Sequence, residues 1–310
     1  MEIITRYGHL KTRSFEMSQF IKTQREPKTR PDIERLYANV STCADYLVFN
    51  NYYTIDEIRL VKAHTCKKHL LCPFCARRRA IKMLQKNLPK VETVLASQSA
   101  LKPVMITFTV KNGPDLLKRF NHMRNALKRL MQRRRDTLKG QKWTEFSKVH
   151  GGIASYEITN NEETGWHPHV HMVCLLTDWI DQKALSEEWK ELTGDSFIVD
   201  IRRIKPKALQ SGNLDIASGL LEVFKYALKF QDLTLEQTWH AYEVLRTRRL
   251  VQGFGCLHGV EVPDSLLDET LEELPYLEMF YKYSRTKQAY GLFRTENVPY
   301  QGAKFASSAM

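Results

Sequence analysis

The chain has 310 residues, of which 43% are hydrophobic, and it carries a formal net charge of +12. This length and composition provide ample core for one large domain or two smaller ones. No apolar run is long enough to span a bilayer and no signal-peptide pattern begins the chain, so we expect a soluble, cytoplasmic protein with no membrane partner. The positive charge favours a polyanionic partner, most simply nucleic acid.

The first hundred residues predict a basic arm followed by a zinc-binding, DNA-contacting module. Residues 1–35 are polar and basic, which indicates a loosely ordered arm; the module covers 36–100, with a short strand at 43–49 and a polar connection up to Ala63. A C-x-x-C pair and two preceding cysteines supply four thiolates for a closed, structural Zn²⁺ site. A redox C-x-x-C is the alternative, but no thioredoxin-like unit surrounds the pair. The four cysteines are Cys43, Cys66, Cys72 and Cys75.

Basic residues follow directly behind the last of these cysteines, on a predicted helix at 76–88. Cations beside a zinc module favour contact with DNA phosphates over simple solvation. The residues expected to make these contacts are Arg77, Arg78, Arg79 and Lys82.

Residues 101–260 show a regular alternation of elements that indicates an α+β domain. Strands are predicted at 104–110, 151–159, 166–176 and 197–204, with helices at 115–139 and 181–193. The order β-α-β-β-α-β is that of split βαβ, ferredoxin-like domains, in which helices cover one or both faces of an antiparallel sheet. A helix at 216–231 follows. Residues 261–310 predict an acidic hinge with a short acidic helix, then a basic aromatic tail that either stacks on single-stranded nucleic acid or packs as a small appendage.

A histidine-rich strand, residues 166–176, provides the candidate catalytic metal site. Alternation places His167, His169 and His171 on one face. If the preceding hairpin turns near residues 162 and 163, Glu157 lies nearly opposite His169. Glu157, His169 and His171 would then form a two-imidazole, one-carboxylate site with open positions, suited to Mg²⁺ or Mn²⁺.

The predicted helix at 216–231 carries a candidate nucleophile. Glu222 and Tyr226 are four residues apart and share a face, with Lys229 three residues further on. A phenol becomes a usable nucleophile when cations lower its pKa and a metal holds the electrophile. The alternative is a core tyrosine with a solvated hydroxyl. The apolar stripe expected on the opposite face consists of Leu221, Phe224 and Leu228.

Together these motifs resemble rolling-circle plasmid replication initiators of the HUH endonuclease superfamily, in the group with a cysteine-rich N-terminal motif and a single catalytic tyrosine. The resemblance covers about residues 43–260. It rests on the four cysteines and the arginines behind them, the strand at 106–110, Glu157 with the histidine strand, the Glu222-x-x-x-Tyr226-x-x-Lys229 pattern, and a weaker Arg-Arg…Gly segment at 248–255.

The resemblance implies that Tyr226 attacks the scissile phosphate of single-stranded or hairpin origin DNA. The products would be a 5′-phosphotyrosine and a free 3′-hydroxyl that primes a host polymerase. It further implies that Glu222 activates water for the terminating cleavage, that Lys229 and Lys225 neutralise the phosphate, and that His167 orients the metal site. Host helicase and polymerase are the expected protein partners in a bacterial or archaeal cytoplasm, and a homodimer is compatible with the resemblance.

Other functions fit parts of the sequence. A transposase or relaxase of the same superfamily would share the chemistry. The segment from His167 to Val173 also looks like a histidine-triad hydrolase motif, which predicts metal-independent nucleotide hydrolysis. A non-catalytic, zinc-stabilised DNA-binding repressor would bind duplex DNA and form no covalent product.

Overall fold

The computed structural model describes residues 2–24, 31–141, 143–204, 216–224, 232–261, 264–271 and 274–299. In the described residues the helices are α1 (Glu2–Thr23), α2 (Pro31–Ser41), α3 (Pro73–Ser97), α4 (Leu116–Leu138), α5 (Gln182–Thr193), α6 (Ile216–Phe224) and α7 (Leu235–Leu245). The strands are β1 (Tyr46–Tyr52), β2 (Glu57–Ala63), β3 (Lys102–Thr109), β4 (Val149–Asn161), β5 (Gly165–Leu176), β6 (Val199–Arg203), β7 (Val251–Gly255), β8 (Tyr276–Ser284) and β9 (Ala289–Val298).

The chain divides into two compact units, one formed by residues 1–78 with 264–310 and the other by residues 79–263. Each unit is built on an antiparallel sheet with helices, which confirms the predicted α+β class. The division differs from the predicted one, because the C-terminal segment belongs to the first unit instead of forming a separate tail. No helix in the described ranges combines the length and apolarity needed to cross a bilayer.

The first unit contains a four-stranded sheet in the order β2-β1-β8-β9. Helix α1 packs on it through Tyr7, whose ring lies 5.3 Å from that of Phe74 and 6.1 Å from that of Phe49. The predicted loosely ordered arm is therefore wrong for Glu2–Thr23. Its apolar pattern is weak because the buried face includes Lys11, whose ammonium lies 2.7 Å from a carboxylate oxygen of Asp45.

Three strands of this sheet were not predicted. Strand β2 replaces the expected polar connection before Ala63, and β8 begins at Tyr276, where an acidic helix was expected. Strand β8 pairs with β1, so that Leu47 lies opposite Tyr281. Partners so far apart in sequence leave no local pattern, and pairing of this kind depends on tertiary context more than on strand propensity.

The second unit contains a five-stranded sheet in the order β6-β3-β5-β4-β7. Its core follows the predicted order β3-α4-β4-β5-α5-β6, with β5 between β3 and β4 and all pairs antiparallel. The helix ends have local causes: the Asp115 side chain accepts from the backbone N–H of Lys118, Asp181 caps α5, and Gly194 ends α5 at a φ of 77°. The ferredoxin-like assignment stays a prediction. Strand β7 adds an edge beside β4 that the sequence did not indicate.

One face of this sheet packs against α4 and α5. The ring of Phe108 on β3 lies 4.7 Å from that of Trp189 on α5, and Phe120 on α4 lies 5.2 Å from Tyr156 on β4. The indole N–H of Trp189 also donates to the backbone oxygen of Thr109 at 2.8 Å. Val170 of β5 lies opposite both Phe108 and Tyr156, so the even-numbered residues of β5 share this face; Val170 and Met172 are fully buried. The odd-numbered residues consequently face the other side.

On that other side, the described residues of α6 and the second half of α3 pack against the sheet. Val173 of β5 shares a buried cluster with Leu220, Val223 and Phe224 of α6. Gly219 allows a close approach, since a Cβ there would lie 2.8 Å from Ile204. The buried stripe of α6 differs from the predicted one, because Leu221 is 39% exposed. Leu228 and the remainder of the predicted helix at 216–231 lie outside the described residues.

Candidate functional site

The same face of this sheet carries the predicted carboxylate–histidine cluster. The β4–β5 hairpin turns at residues 162–164, and Glu157 lies directly opposite His169, which confirms the predicted register. The Nε2 atoms of His169 and His171 lie 3.0 Å and 2.7 Å from the same carboxylate oxygen of Glu157. Strand pairing thus brings three ligands, two imidazoles and one carboxylate, to one point of the sheet.

The chemistry of this cluster fits a divalent cation. The three donor atoms all lie within 4.8 Å of one another. A metal-bound imidazole uses one nitrogen for the ion and donates its other N–H to a neighbour. His171 has such a neighbour, since its Nδ1 lies 3.0 Å from the hydroxyl of Thr107. The Nδ1 atom of His169 is buried with no hydrogen-bond partner among the described residues, so this ring is not fully satisfied by protein groups. Two neutral nitrogens and one carboxylate are suitable ligands for Mg²⁺ or Mn²⁺.

A cleft of about 720 Å³ begins next to this cluster. His167, whose ring lies 5.3 Å from that of His169, forms part of its wall. The other described lining residues are Thr109, Val110, Lys111, Asn112, Thr164, Asp195, Ser196, Phe197 and Ile198. Sequence reasoning missed this cleft. The signal available in the sequence was a pair of adjacent large apolar residues, Phe197 and Ile198, just before a strand. In the structure they remain 60% and 58% exposed.

The four predicted zinc ligands come together in the first unit, and all four cysteines are buried. The sulfur of Cys75 lies 3.5 Å from those of Cys43 and Cys66, and the sulfur of Cys72 lies 3.6 Å from that of Cys43. Tetrahedral Zn²⁺ with Zn–S bonds of about 2.3 Å requires sulfur–sulfur distances of about 3.8 Å. The spacing therefore suits a shared zinc ion and is too long for a disulfide.

The four thiols of this cluster differ in how readily they ionise. Burial opposes ionisation of Cys72, but hydrogen bonds from Cys43, Cys66, Cys75 and the Ser14 hydroxyl outweigh it and hold the pKa of Cys72 well below its usual value. Hydrogen bonds to Cys66 and Cys72, together with burial, raise the pKa of Cys43. One thiolate is thus stabilised at the expense of its neighbours, and four thiolates require a compensating positive charge.

The arginines behind the cysteines divide between two roles. Arg78 is 4% exposed; its guanidinium donates to the backbone oxygen of Leu266 at 2.9 Å and to Asp268 at 2.8 Å. The prediction that Arg78 contacts DNA is therefore wrong, because a polar pattern in sequence does not separate a solvated arginine from one that ties two segments together. The other predicted DNA contacts are partly exposed and stay predictions; these are Arg77, Arg79 and Lys82.

The predicted catalytic helix is described only in part. Glu222 lies half-buried on α6. Tyr226, Lys225 and Lys229 lie outside the described residues, so the predicted nucleophile and its cations stay predictions. The last described residue of α6 is Phe224, which is 2% exposed and belongs to the same buried cluster as Val173.

Comparison with known proteins identifies the family. Residues 57–288 match the Replication protein family. A "Protein rep" of a Bacillus species is 29% identical over 248 residues, covering 71% of this chain and 77% of that protein. The "Protein rep" of Bacillus amyloliquefaciens is 27% identical over 268 residues, covering 77% of this chain and 76% of that protein. No solved structure matches. The chain therefore belongs to the Replication protein family, and its predicted kinship with plasmid rolling-circle replication initiators is confirmed.

Proposed function

We propose that this initiator is a metal-dependent endonuclease that nicks one strand of the plasmid origin through a phosphotyrosine. The observation that carries the proposal is the convergence of two imidazoles and one carboxylate on the sheet face against which α6 packs. Val173, which packs in the apolar cluster with α6, is two residues from His171 on β5. Tyr226 follows the described end of α6 by two residues, so the chain approaches the cluster face immediately before the proposed nucleophile.

The metal ligands and the nucleophile have separate roles in the proposed nicking reaction. Glu157, His169 and His171 would hold Mg²⁺ or Mn²⁺, which withdraws negative charge from the phosphate oxygens. The Tyr226 oxygen attacks phosphorus, a bond from tyrosine to the 5′-phosphate forms, and the bond to the 3′-oxygen breaks. The departing oxygen takes up a proton and leaves as a 3′-hydroxyl available to a host polymerase. A host helicase would unwind the duplex ahead of the polymerase.

Charged residues near Tyr226 in sequence complete the reaction. Lys229, with Lys225, would lower the pKa of the phenol and neutralise the phosphate. Glu222, four residues before Tyr226 in sequence, would accept a proton from the water that attacks in the terminating cleavage. His167 would keep the neighbouring His169 oriented. A single tyrosine with a water-activating carboxylate releases the enzyme after termination.

Zn²⁺ at the four cysteines would have a structural role, because all four protein ligands fill a tetrahedral shell and leave no open position. Arg77, Arg79 and Lys82 follow the last cysteine on α3, and we propose that they contact DNA phosphates.

The test uses labelled single-stranded origin DNA, the purified protein and Mn²⁺. We expect a denaturation-resistant adduct whose tryptic peptide contains Tyr226, and we expect it to disappear in Tyr226→Phe and His169→Ala. Tyr156→Phe is the matched control: burial raises the pKa of Tyr156 to about 12, its side chain faces α4, and its loss should leave the adduct intact. An adduct on another residue, or nicking that persists in Tyr226→Phe, would refute the mechanism.

The role of Glu222 has its own test. Glu222→Ala should preserve the first nick and reduce the terminating cleavage, both measured on an oligonucleotide that carries two nick sites. Equal loss of both steps would contradict the assignment of Glu222 to water activation.

A further inference from the structure

The cleft beside His167 has the size of a ligand-binding site. Its volume of about 720 Å³ lies within the ~300–1,000 Å³ range of ligand sites. Thr109, on its wall, pairs directly with His169, so the cleft and the metal cluster share adjacent positions of β3 and β5. A strand of DNA whose phosphate reaches the cluster can therefore extend into this cleft.

The cleft offers an aromatic platform. Phe197 is 60% exposed and its neighbour Ile198 is 58% exposed, although both precede a strand that could have turned them inward. Exposed aromatic side chains beside a backbone-binding site are the usual means of holding single-stranded bases, because every base has a face that stacks. Lys111, exposed at the same cleft, supplies a cation for an adjacent phosphate.

The cleft also offers a polar edge for reading a base. The side-chain amide of Asn112 donates to the hydroxyl of Thr164 at 2.6 Å, which fixes the orientation of the carboxamide and leaves its oxygen and second N–H for a ligand. A carboxamide pairs with base edges in two directions, as donor and acceptor.

The acidic group in the wall, Asp195, is paired with basic side chains. Burial would raise the pKa of Asp195, but hydrogen bonds from Ser196 at 2.5 Å and Arg119 at 3.0 Å hold it below its usual value. The carboxylate thus stays charged, and the guanidinium compensates it. An anionic strand can consequently approach without net repulsion from this wall.

We propose that this cleft is a base-specific pocket for single-stranded DNA, in which Phe197 stacks on one nucleobase flanking the scissile phosphate and Asn112 reads its edge. The proposal rests on the proposed nicking function and adds to it where sequence preference is determined. It divides affinity and specificity between two residues: stacking tolerates any base, whereas the carboxamide discriminates.

Binding measured without metal tests the pocket separately from nicking. Fluorescein-labelled dA, dC and dT homopolymers of about 12 nucleotides, within the site sizes usual for single-strand grooves, are titrated with the full-length protein in EDTA and followed by anisotropy. Phe197→Ala should weaken binding of all three by roughly 5- to 150-fold, and Phe197→Trp should restore it. Trp143→Ala, which removes an equally exposed aromatic residue of the same unit, should leave binding unchanged.

The carboxamide gives a different signature. Asn112→Ala should reduce affinity for the homopolymer that the wild-type protein prefers and leave the other two nearly unchanged, so that the preference disappears. Photo-cross-linking of oligo(dT) that carries 5-iodouracil should yield a peptide containing Phe197.

The outcomes separate the two proposals. Binding and a cross-link at Phe197 without any Tyr226 adduct would refute the nicking function and retain the pocket. A Tyr226 adduct with unchanged affinity in Phe197→Ala, or cross-links only elsewhere, would refute the pocket and retain the nicking function. Equal wild-type affinity for the three homopolymers would refute the reading role of Asn112.

Discussion

The metal cluster can be tested through stability before any DNA is added, by changing Glu157 to Gln. Glu157 is 5% exposed, and the Nε2 atoms of His171 and His169 lie 2.7 Å and 3.0 Å from one of its carboxylate oxygens. Glutamine keeps the shape and an acceptor oxygen but removes the charge. In the absence of metal, the change converts two charge-assisted hydrogen bonds into neutral ones, which costs about 1–2 kcal/mol of unfolding free energy.

The effect on metal binding is larger and easier to isolate. At a Mn²⁺ concentration of about 100 times the dissociation constant, binding adds about 2.7 kcal/mol to the stability of the wild type. For a unit of 150–250 residues this corresponds to a rise in Tm of about 5–10 °C. Loss of a neighbour that merely orients a ligand already lowers metal affinity by about 10–100-fold. Loss of a charged ligand should reach at least the upper value, which leaves a rise of only about 1–2 °C at the same Mn²⁺ concentration.

Thermal unfolding with and without Mn²⁺, followed by tryptophan fluorescence, measures both effects. Glu163→Gln is the matched control, because Glu163 lies in the turn of the same hairpin and is exposed. We expect its metal-induced rise in Tm to equal that of the wild type. An undiminished rise in Glu157→Gln would show that Mn²⁺ stabilises the protein elsewhere and would refute the assigned ligand set.

Three further predictions concern the rest of the structure. Cys75→Ser should abolish zinc binding and unfold the first unit, seen by metal analysis and circular dichroism, because structural zinc contributes about 10–16 kcal/mol; Cys256→Ser, outside the cluster, should leave the zinc content unchanged. Trp189→Phe should lower the unfolding free energy measured in urea by about 0.5–1.5 kcal/mol, since it removes a part-buried hydrogen bond to the backbone oxygen of Thr109. Arg78→Ala should lower the unfolding free energy by about 1.5–3 kcal/mol, because it removes the charge-assisted hydrogen bonds to Asp268 and to the backbone oxygen of Leu266, whereas Arg77→Ala should weaken DNA binding and leave the urea midpoint nearly unchanged.

The second unit could be predicted from sequence because its signals are local. The alternation of β5 and the short turn after β4 fixed the register that brings Glu157 opposite His169. The predicted helices at 115–139 and 181–193 begin and end within one residue of the observed α4 and α5. Chain topology then follows from short connections, which leave few alternative orders for the strands.

The first unit could not be predicted in the same way. Helix α1 buries Lys11, Ser14 and Ser18 beside apolar residues, so its stripe does not show in a hydrophobic pattern. Its sheet joins β1 to β8 across most of the chain, and such pairing depends on the partner more than on the strand. The base pocket escaped prediction for a related reason: Asn112 and Phe197 come from separate loops that approach only in the folded unit.

The register of β5 explains why the site was the most predictable feature. Its even-numbered residues, including Val170 and Met172, are fully buried against α4 and α5, whereas His169 and His171 project from the opposite face. A slip of one residue would reverse both sets, burying the imidazoles in an apolar layer and exposing the core residues. The packing of the even-numbered residues therefore fixes the register that places His169 and His171 beside Glu157. Function-altering changes at His169 or Glu157 should accordingly leave the fold intact, which makes this cluster accessible to mutation in a way that the cysteine cluster is not.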